Sequence, residues 1–255
     1  MGTGKSRESL TDEAYWTAFY QCHQRECPDR RSIIAAASRL DSCWQEFRNA
    51  AGQTTTVCEI GCYPGRYLAY VASKFNLRAL GIDLNPDMDT VVGHLKTMGV
   101  DNYAVKRGDF LTHEPNEKAG MVFSLGFVEH FENVGEVLDR HLAFLAERGA
   151  LFVAVPNMRG LIHPYKWLAD RANLDVHNLA AMRPSVFREF GERNGLTTHF
   201  VKFQGSFPWS LHQAPNVFQR VLYYAAKSGC RLFEPFIRRF PSHLYSGELV
   251  ALYSR

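Results

Sequence analysis

The sequence lacks long apolar runs, paired cysteines and a large net charge. The apolar stretch at 151–156 is far shorter than the roughly 20 residues of a transmembrane helix, and no basic and then apolar leader opens the chain. The six cysteines include no CxxC pair and no zinc-finger histidine spacing, so we expect reduced thiols and no metal site. These absences favour a soluble, cytoplasmic protein.

The charge is small but unevenly distributed. A net charge of +3 is modest for a protein that follows the phosphates of a nucleic acid. The chain up to Met158 has 16 Lys and Arg against 20 Asp and Glu, and the rest has 13 against 6. The basic second part favours an acidic ligand, or forms a solvated basic face.

The first fifty residues predict a disordered terminus followed by helices. Residues 1–10 carry no regular pattern and are expected to be disordered. Residues 11–50 predict a cap of two helices that are separated at Pro28, with Ser32 as N-cap of the second. This helical cap is expected to cover one edge of the following domain.

From residue 55 the apolar pattern alternates between short and long segments. Helical segments connect apolar runs at 57–61, 78–83, 103–110, 120–126 and 150–156. Repeated strand and helix in this order predict an α/β fold with a parallel sheet covered by helices on both faces. Residues 11–255 are therefore expected to form a single domain with its core at 55–157.

Beyond Pro156 the pattern changes. An irregular stretch at 158–183 precedes a predicted helix, which is followed by strands at 196–205 and 247–255. Between these strands lies an aromatic and basic insert at 205–243, with a predicted helix at 215–229. Residues 158–183 and 205–243 are expected to form a cap or lid over a ligand site, and the insert also suits contact with a membrane surface.

A glycine-containing turn follows the first predicted strand. In an open parallel sheet, the ligand lies beyond the carboxyl ends of the strands, and the backbone of the first turn approaches it closely. Gly61 and Gly65 occupy this turn, but Tyr63 and Arg66 stand where a dinucleotide-binding GxGxxG loop has its second and third glycines. The turn therefore favours a ligand other than a dinucleotide.

The same turn resembles the E/DxGxGxG loop of class I S-adenosylmethionine-dependent methyltransferases. Glu59, Gly61 and Gly65 match, and Tyr63 replaces the middle glycine. The segments MVFSLGFVEHF and ALFVAVPN resemble the family's fourth and fifth strands, and FVKFQG and ELVALYSR its last two antiparallel strands. The resemblance implies a Rossmann-like, mostly parallel sheet of seven strands and S-adenosylmethionine as cofactor.

The resemblance also implies the residues that contact the cofactor. Asp83, at the end of the second strand, corresponds to the carboxylate that accepts hydrogen bonds from the ribose hydroxyls, and Asp109 and Phe110 correspond to the adenine contacts at the end of the third strand. Glu59 belongs to the same site. The other expected contacts are Gly61, Cys62, Gly65, Leu84, Ser124, Leu125 and Gly126.

The acceptor side is less determined by sequence. Methyl transfer depends mainly on alignment, so a general base is optional, and His130 after the fourth strand is the first candidate because histidine titrates near neutral pH. Alternatively, Glu129 and His130 merely cap or orient the next helix. Candidate acceptor contacts are Tyr15, His163, His177 and Trp209. Tyr15 and Trp16 in the first helix are also candidates to close over the cofactor, or they pack in the core.

The missing base-methylation motif narrows the expected function. SLGF stands where enzymes that methylate the amino groups of nucleic-acid bases have Asn/Asp/Ser-Pro-Pro-aromatic, so DNA is not expected as substrate. The leading hypothesis is methylation of an O or N atom of a small molecule, such as an acidic metabolite, a sugar or a natural-product intermediate. A protein or RNA methyltransferase is the alternative, and an NAD-binding dehydrogenase or a non-catalytic member of the fold is more remote.

Overall fold

The computed structural model describes residues 9–11, 13–23, 29–212 and 216–255. Helices α1 to α10 are Glu13–His23, Arg30–Ala37, Asp41–Ala50, Arg66–Phe75, Met88–Thr97, Val134–Phe144, Ile162–Ala169, Arg171–Asp175, Pro184–Arg193 and Val217–Arg239. Strands β1 to β7 are Thr56–Ile60, Arg78–Asp83, Tyr103–Arg107, Ala119–Leu125, Leu145–Pro156, Thr197–Gln204 and Glu248–Ser254. None of the described helices is long and apolar enough to cross a membrane.

The strands form one sheet in the order β3-β2-β1-β4-β5-β7-β6. Strands β1 to β5 are parallel, and β7 runs antiparallel to both β5 and β6. The expected Rossmann-like sheet is confirmed, including its terminal antiparallel pair. The strand order reverses between β1 and β4, which places a crevice at the carboxyl ends of these strands.

Helices cover both faces of the sheet, because successive side chains of a strand point to opposite faces. On one face, the Trp44 ring of α3 packs at 5.3 Å from Phe123 and 5.1 Å from Phe152, between ring centroids. On the other face, Phe187 and Phe190 of α9 are fully buried. Of the predicted N-terminal helical cap, α3 thus covers a face of the sheet rather than the expected edge.

Several predicted boundaries were wrong. The N-cap of α2 is Asp29, whose Oδ1 accepts from the Ser32 amide at 2.8 Å, so Ser32 lies inside the helix. The predicted second helix is interrupted by a 3₁₀ turn at Ser38–Leu40, and β3 ends at Arg107 instead of residue 110. Residues 1–8 and Pro28 lie outside the described residues.

The start of the chain and the end of α10 differ more from their predicted structure. Ser9 pairs with Phe131 as an isolated β-bridge, and the Leu10 amide donates to the His130 carbonyl at 2.8 Å, although both residues were expected in a disordered terminus. Helix α10 continues ten residues beyond its predicted end, through Pro235 to Arg239. Only Ile237 of α10 is buried, so most of this helix lies on the surface.

Candidate active site

A cavity of about 650 Å³ opens where the strand order reverses. Its walls are the turns that follow β1, β2, β3 and β4, together with side chains of α1 and of the segment before α10. The predicted cofactor residues that line it are Glu59, Gly61, Cys62, Gly65, Asp83, Leu84, Asp109, Phe110, Leu125 and Gly126. Four separate turns therefore contribute to one continuous surface.

The two glycines of the first turn have no room for a side chain. Gly61 has a φ of 69°, and a Cβ there would lie 2.6 Å from the Phe127 ring. Gly65 has a φ of 99°, and a Cβ would lie 2.9 Å from the Val91 Cα. Both positions combine a left-handed backbone with close packing, which only glycine accommodates without strain.

One buried carboxylate, Glu59, and one half-buried carboxylate, Asp83, border this turn. Glu59 Oε2 accepts from the Leu68 amide in the first turn of α4 at 2.9 Å, so Glu59 stabilises the start of the helix. Asp83 accepts from the Tyr63 amide at 2.9 Å and from the Asn85 amide at 2.8 Å. Burial raises the pKa of both carboxyl groups, against the effect of these hydrogen bonds.

The remaining predicted cofactor residues divide into two groups. Asp109 and Phe110 follow β3 instead of ending it, and both line the cavity. Ser124 does not contact the cavity. It is fully buried inside β4, and its hydroxyl donates to His141 Nε2 at 3.0 Å, because the strand's alternation turns this side chain into the core.

Only one of the five predicted acceptor-side residues lines the cavity. His130 does, whereas Tyr15, His163, His177 and Trp209 are not among its lining residues. His177 lies just behind, with its ring centroid 4.6 Å from that of His130. Trp209 instead packs on Tyr223 of α10, and within the described part of 205–243 only His212 lines the cavity.

His130 is a neutral histidine with a defined tautomer. Its Nδ1 lies 2.9 Å from the Val176 carbonyl oxygen, which can only accept, so Nδ1 carries the hydrogen and Nε2 carries a lone pair. Burial lowers the pKa of His130 to about 4. The neighbouring Glu129 carboxyl is also buried, which raises its pKa to about 8.

Three aromatic residues of α1, Trp16, Phe19 and Tyr20, form a wall of the cavity, in which the Trp16 ring packs edge-on against His130 at 4.8 Å. Of Tyr15 and Trp16, the two residues expected to close over the cofactor, only Trp16 lines the cavity, and Phe19 and Tyr20 were missed at the sequence level. His212 stacks on Phe19 at 5.9 Å and contacts Asp170, a pairing between distant segments that leaves no local pattern.

Arg66 is the most informative of the missed residues. It is the first residue of α4 and lines the cavity. Its Nε is buried and has no hydrogen-bond partner within the described ranges. A buried guanidinium N–H without an acceptor is unfavourable, which indicates an anionic ligand group at this end of the cavity.

Residues 29–199 match a family model described as a methyltransferase domain. The chain belongs to this family. The resemblance to class I S-adenosylmethionine-dependent methyltransferases is thereby confirmed. A segment of 100 residues is also 27% identical to a Papaver bracteatum protein named probable (S)-tetrahydroprotoberberine N-methyltransferase 2, of which it spans 28%.

Solved structures of methyltransferases share the fold over nearly the whole chain. A S-adenosylmethionine-dependent methyltransferase from Archaeoglobus fulgidus is 17% identical with a TM-score of 0.58, covering 94% of this chain and 100% of that one. The N-methyltransferase NodS from Bradyrhizobium japonicum, solved with S-adenosyl-L-homocysteine, is 15% identical with a TM-score of 0.57, covering 96% and 99%. The shared methyltransferase fold therefore accounts for the sheet.

Proposed function

We propose that this methyltransferase transfers a methyl group from S-adenosylmethionine to an O or N atom of a small molecule. The observation that carries the proposal is the placement of Asp83 beside the Gly61–Gly65 turn, hydrogen-bonded to the Tyr63 amide, in one cavity at the strand reversal. The cavity volume of about 650 Å³ suits a nucleoside cofactor together with a small acceptor. Two relatives named as N-methyltransferases agree with this reaction class.

The residues present fit this cofactor. Asp83 would accept hydrogen bonds from the ribose hydroxyls, since each carboxylate oxygen retains lone pairs beyond its one backbone bond. Asp109 and Phe110 would contact the adenine. Arg66 would pair with the carboxylate of the methionine moiety, which gives its unpartnered Nε an acceptor.

The cofactor supplies a methyl group on a positively charged sulfur, so the leaving group is already activated. The remaining task of the chain is to align the acceptor with that methyl group, which can lower the barrier by roughly 7 to 11 kcal/mol. The aromatic wall of α1 would hold the acceptor and exclude water. His130, which packs against Trp16 of this wall, has its Nε2 as the candidate general base for a hydroxyl acceptor. Its low pKa makes it a weak base.

Calorimetric titration tests the proposal. We expect S-adenosylmethionine to bind with micromolar affinity and NADH not to bind. Asp83→Ala should weaken binding of S-adenosylmethionine by at least about 30-fold, because it removes a charge-assisted acceptor worth about 2 kcal/mol. Asp101→Ala, at an exposed position outside the cavity, is the matched control and should bind normally. Binding of NADH instead, or no binding of S-adenosylmethionine, would contradict the proposal.

A further inference from the structure

We propose that Glu129, His130 and His177 bind a divalent transition-metal ion at the wall of the cavity, where the ion holds the oxygen atom of the acceptor. The role of the ion rests on the methyltransferase function proposed above, whereas its binding does not. The sequence spacing predicted no metal site, because His177 lies 47 positions beyond His130 and follows no ligand motif.

The three side chains meet at one point. One ligand atom from each lies within 4.8 Å of the others, and Glu129 Oε1 is 3.7 Å from His130 Nε2. Nitrogen and oxygen ligands bind zinc tetrahedrally at about 2.0 to 2.2 Å, which places neighbouring ligand atoms about 3.4 Å apart. The Glu129 and His130 atoms are already close to this separation, and a contraction of at most about 1.4 Å in the widest pair closes the site around an ion.

Both histidines present a lone pair to this point. His130 Nδ1 donates to the Val176 carbonyl at 2.9 Å, and His177 Nδ1 donates to the Asn173 carbonyl at 2.6 Å. Each Nε2 is therefore an acceptor. A backbone carbonyl on the far nitrogen is the usual arrangement for metal-binding histidines, because it fixes the tautomer and the ring orientation.

The buried carboxyl of Glu129 lacks the hydrogen-bond partners that buried carboxyl groups normally have. Its side chain is 1% exposed, and neither oxygen has a hydrogen-bond partner among the residues that the structure describes. Leaving such a group unsatisfied is costly, and a metal ion would satisfy it.

The fold holds the ligands next to the cavity. Glu129 and His130 belong to a 3₁₀ turn, Val128–His130, directly after β4, and His130 lines the cavity. The Asn178 amide donates to the Glu129 carbonyl at 2.7 Å, which ties the segment of His177 to this turn. Two imidazoles and one carboxylate suit zinc, manganese, iron or cobalt, whereas magnesium and calcium prefer oxygen ligands.

An ion here would select an oxygen acceptor. With the ion bound, His130 Nε2 is a metal ligand and no longer a base, so the metal-bound hydroxyl loses its proton to solvent, and the resulting oxygen keeps a lone pair for the methyl group. The new O–CH₃ bond forms as the CH₃–S bond breaks, and that electron pair stays on sulfur to give S-adenosylhomocysteine. An amine bound to the ion would have no lone pair left, so the site favours O-methylation.

Metal binding is measured first without any cofactor. We expect the metal-free protein to bind Zn²⁺ with a 1:1 stoichiometry in calorimetry and to give a visible absorption band with Co²⁺. It should not bind Mg²⁺. Glu129→Gln and His177→Ala should each weaken Zn²⁺ binding at least 30-fold. His199→Ala, an exposed histidine on β6, is the matched control and should leave it unchanged.

The outcomes separate this inference from the proposed function. Thermal unfolding of each metal-free variant verifies that it folds. If His177→Ala does not fold, Glu129→Gln still tests the site, because glutamine has nearly the same shape as glutamate. Normal S-adenosylmethionine binding without specific Zn²⁺ binding would overturn the metal site alone. Zn²⁺ binding without S-adenosylmethionine binding would overturn the proposed function instead. Equal Zn²⁺ binding by wild type and Glu129→Gln would also exclude this site.

A second feature, independent of the cavity, lies on α10. The geometry points to this helix as a binding surface for an anionic membrane. Its solvent-facing side carries large apolar residues that are at least 55% exposed: Val217, Phe218, Val221, Tyr224, Leu232, Phe233, Phe236 and, directly after the helix, Phe240. Isolated exposed apolar residues are ordinary, but two groups of them on one side of the same helix, at 217–224 and 232–240, are not.

The charges of α10 indicate what covers this face. The helix contains five basic residues and one acidic residue, Glu234. Arg220, Lys227, Arg231 and Arg238 follow at spacings of 7, 4 and 7, so they form one stripe along the edge of the apolar face. An apolar face with a basic border is typical of helices that lie in a membrane interface with anionic headgroups.

Sedimentation with lipid vesicles tests this surface. The full chain should bind vesicles of phosphatidylcholine and phosphatidylglycerol, with binding that falls as salt rises, and should not bind pure phosphatidylcholine. The double variant Phe233→Ser/Phe236→Ser should lose at least ten-fold in binding, and Arg231→Gln/Arg238→Gln should reduce the salt dependence of binding. Arg188→Gln, exposed on α9, is the control.

Light scattering distinguishes a different occupant. Absence of vesicle binding together with a dimer that Phe233→Ser/Phe236→Ser dissociates would overturn the membrane assignment in favour of a second copy of the chain. Equal binding to neutral and anionic vesicles would overturn the role of the basic stripe.

Discussion

Two glycines, Gly52 before β1 and Gly65 in the turn after it, illustrate two separate reasons for glycine. Gly52 and Gly65 both have a left-handed backbone, with φ of 61° and 99°. A Cβ at Gly52 would meet nothing within 4 Å, whereas one at Gly65 would approach the Val91 Cα at 2.9 Å. The pair thus separates backbone strain from close packing.

Gly65→Ala should destabilise the protein more than Gly52→Ala. The left-handed backbone alone costs about 1 to 2 kcal/mol for alanine, which is the expected loss at Gly52. At Gly65, the added contact with the backbone of α5 increases the loss and displaces the cavity turn, so S-adenosylmethionine binding should also fall. Urea unfolding and calorimetry measure both effects, and equal losses of stability at the two positions would contradict the packing argument.

At the scale of elements, a buried polar network joins α7, α8 and the segment before α10. Lys166 Nζ donates to Asp170 Oδ2 at 2.9 Å and to the Ser210 carbonyl at 2.6 Å. Asp170 also accepts from His212 Nδ1 at 3.0 Å. This network holds His212 at the cavity wall, a position that the aromatic and basic composition of 205–243 did not reveal.

The network makes stability depend on acid pH. Burial acts to raise the pKa of Asp170, but His212 and Lys166 outweigh it and lower the pKa from 3.8 to about 2. Because the folded state favours the ionised carboxyl, its stabilisation is complete above about pH 4 and is lost as pH falls to about 2, by about 2 kcal/mol.

Asp170→Asn should therefore remove this part of the pH dependence. The difference in unfolding free energy between wild type and variant should shrink as pH falls from about 5 to about 2.5 in urea titrations. Asp175→Asn, which breaks an exposed ion pair with Arg171, is the control and should change the profile little. A constant difference across this range would contradict the assigned role of Asp170.

At the scale of the whole molecule, the cavity joins segments from α1, four strand ends and the region before α10. A ligand that bridges these segments binds the folded chain and not the unfolded one. Its binding free energy therefore adds to the free energy of unfolding.

S-adenosylhomocysteine should raise the melting temperature. At one hundred times its Kd, a ligand that binds only the folded state adds about 2.7 kcal/mol, equivalent to several degrees for a chain of this size. Asp83→Ala should abolish the shift, and NAD⁺ should produce none in either protein. A shift that persists in Asp83→Ala would place the ligand elsewhere.

The sequence by itself determined the parallel sheet and the turns that face the ligand. Strand alternation, the glycines and the carboxylates Glu59 and Asp83 are local features, because each depends on neighbouring residues and on the order of elements. The predictions of Ser32 as an N-cap and of Ser124 as a cofactor contact were wrong, and each error also has a local cause. Asp29 competes for the same helix end, and a shift of one position along β4 turns a side chain from the cavity into the core.

Only the tertiary structure decided the acceptor side. It brings His177 to Glu129 and His130, turns Trp16 rather than Tyr15 towards the cavity, and leaves the apolar face of α10 exposed. None of these follows from sequence spacing, because each depends on how segments far apart in the chain pack against one another. Residues that contact across such distances carry no periodic signal, so packing alone determines what the cavity can hold beyond the cofactor.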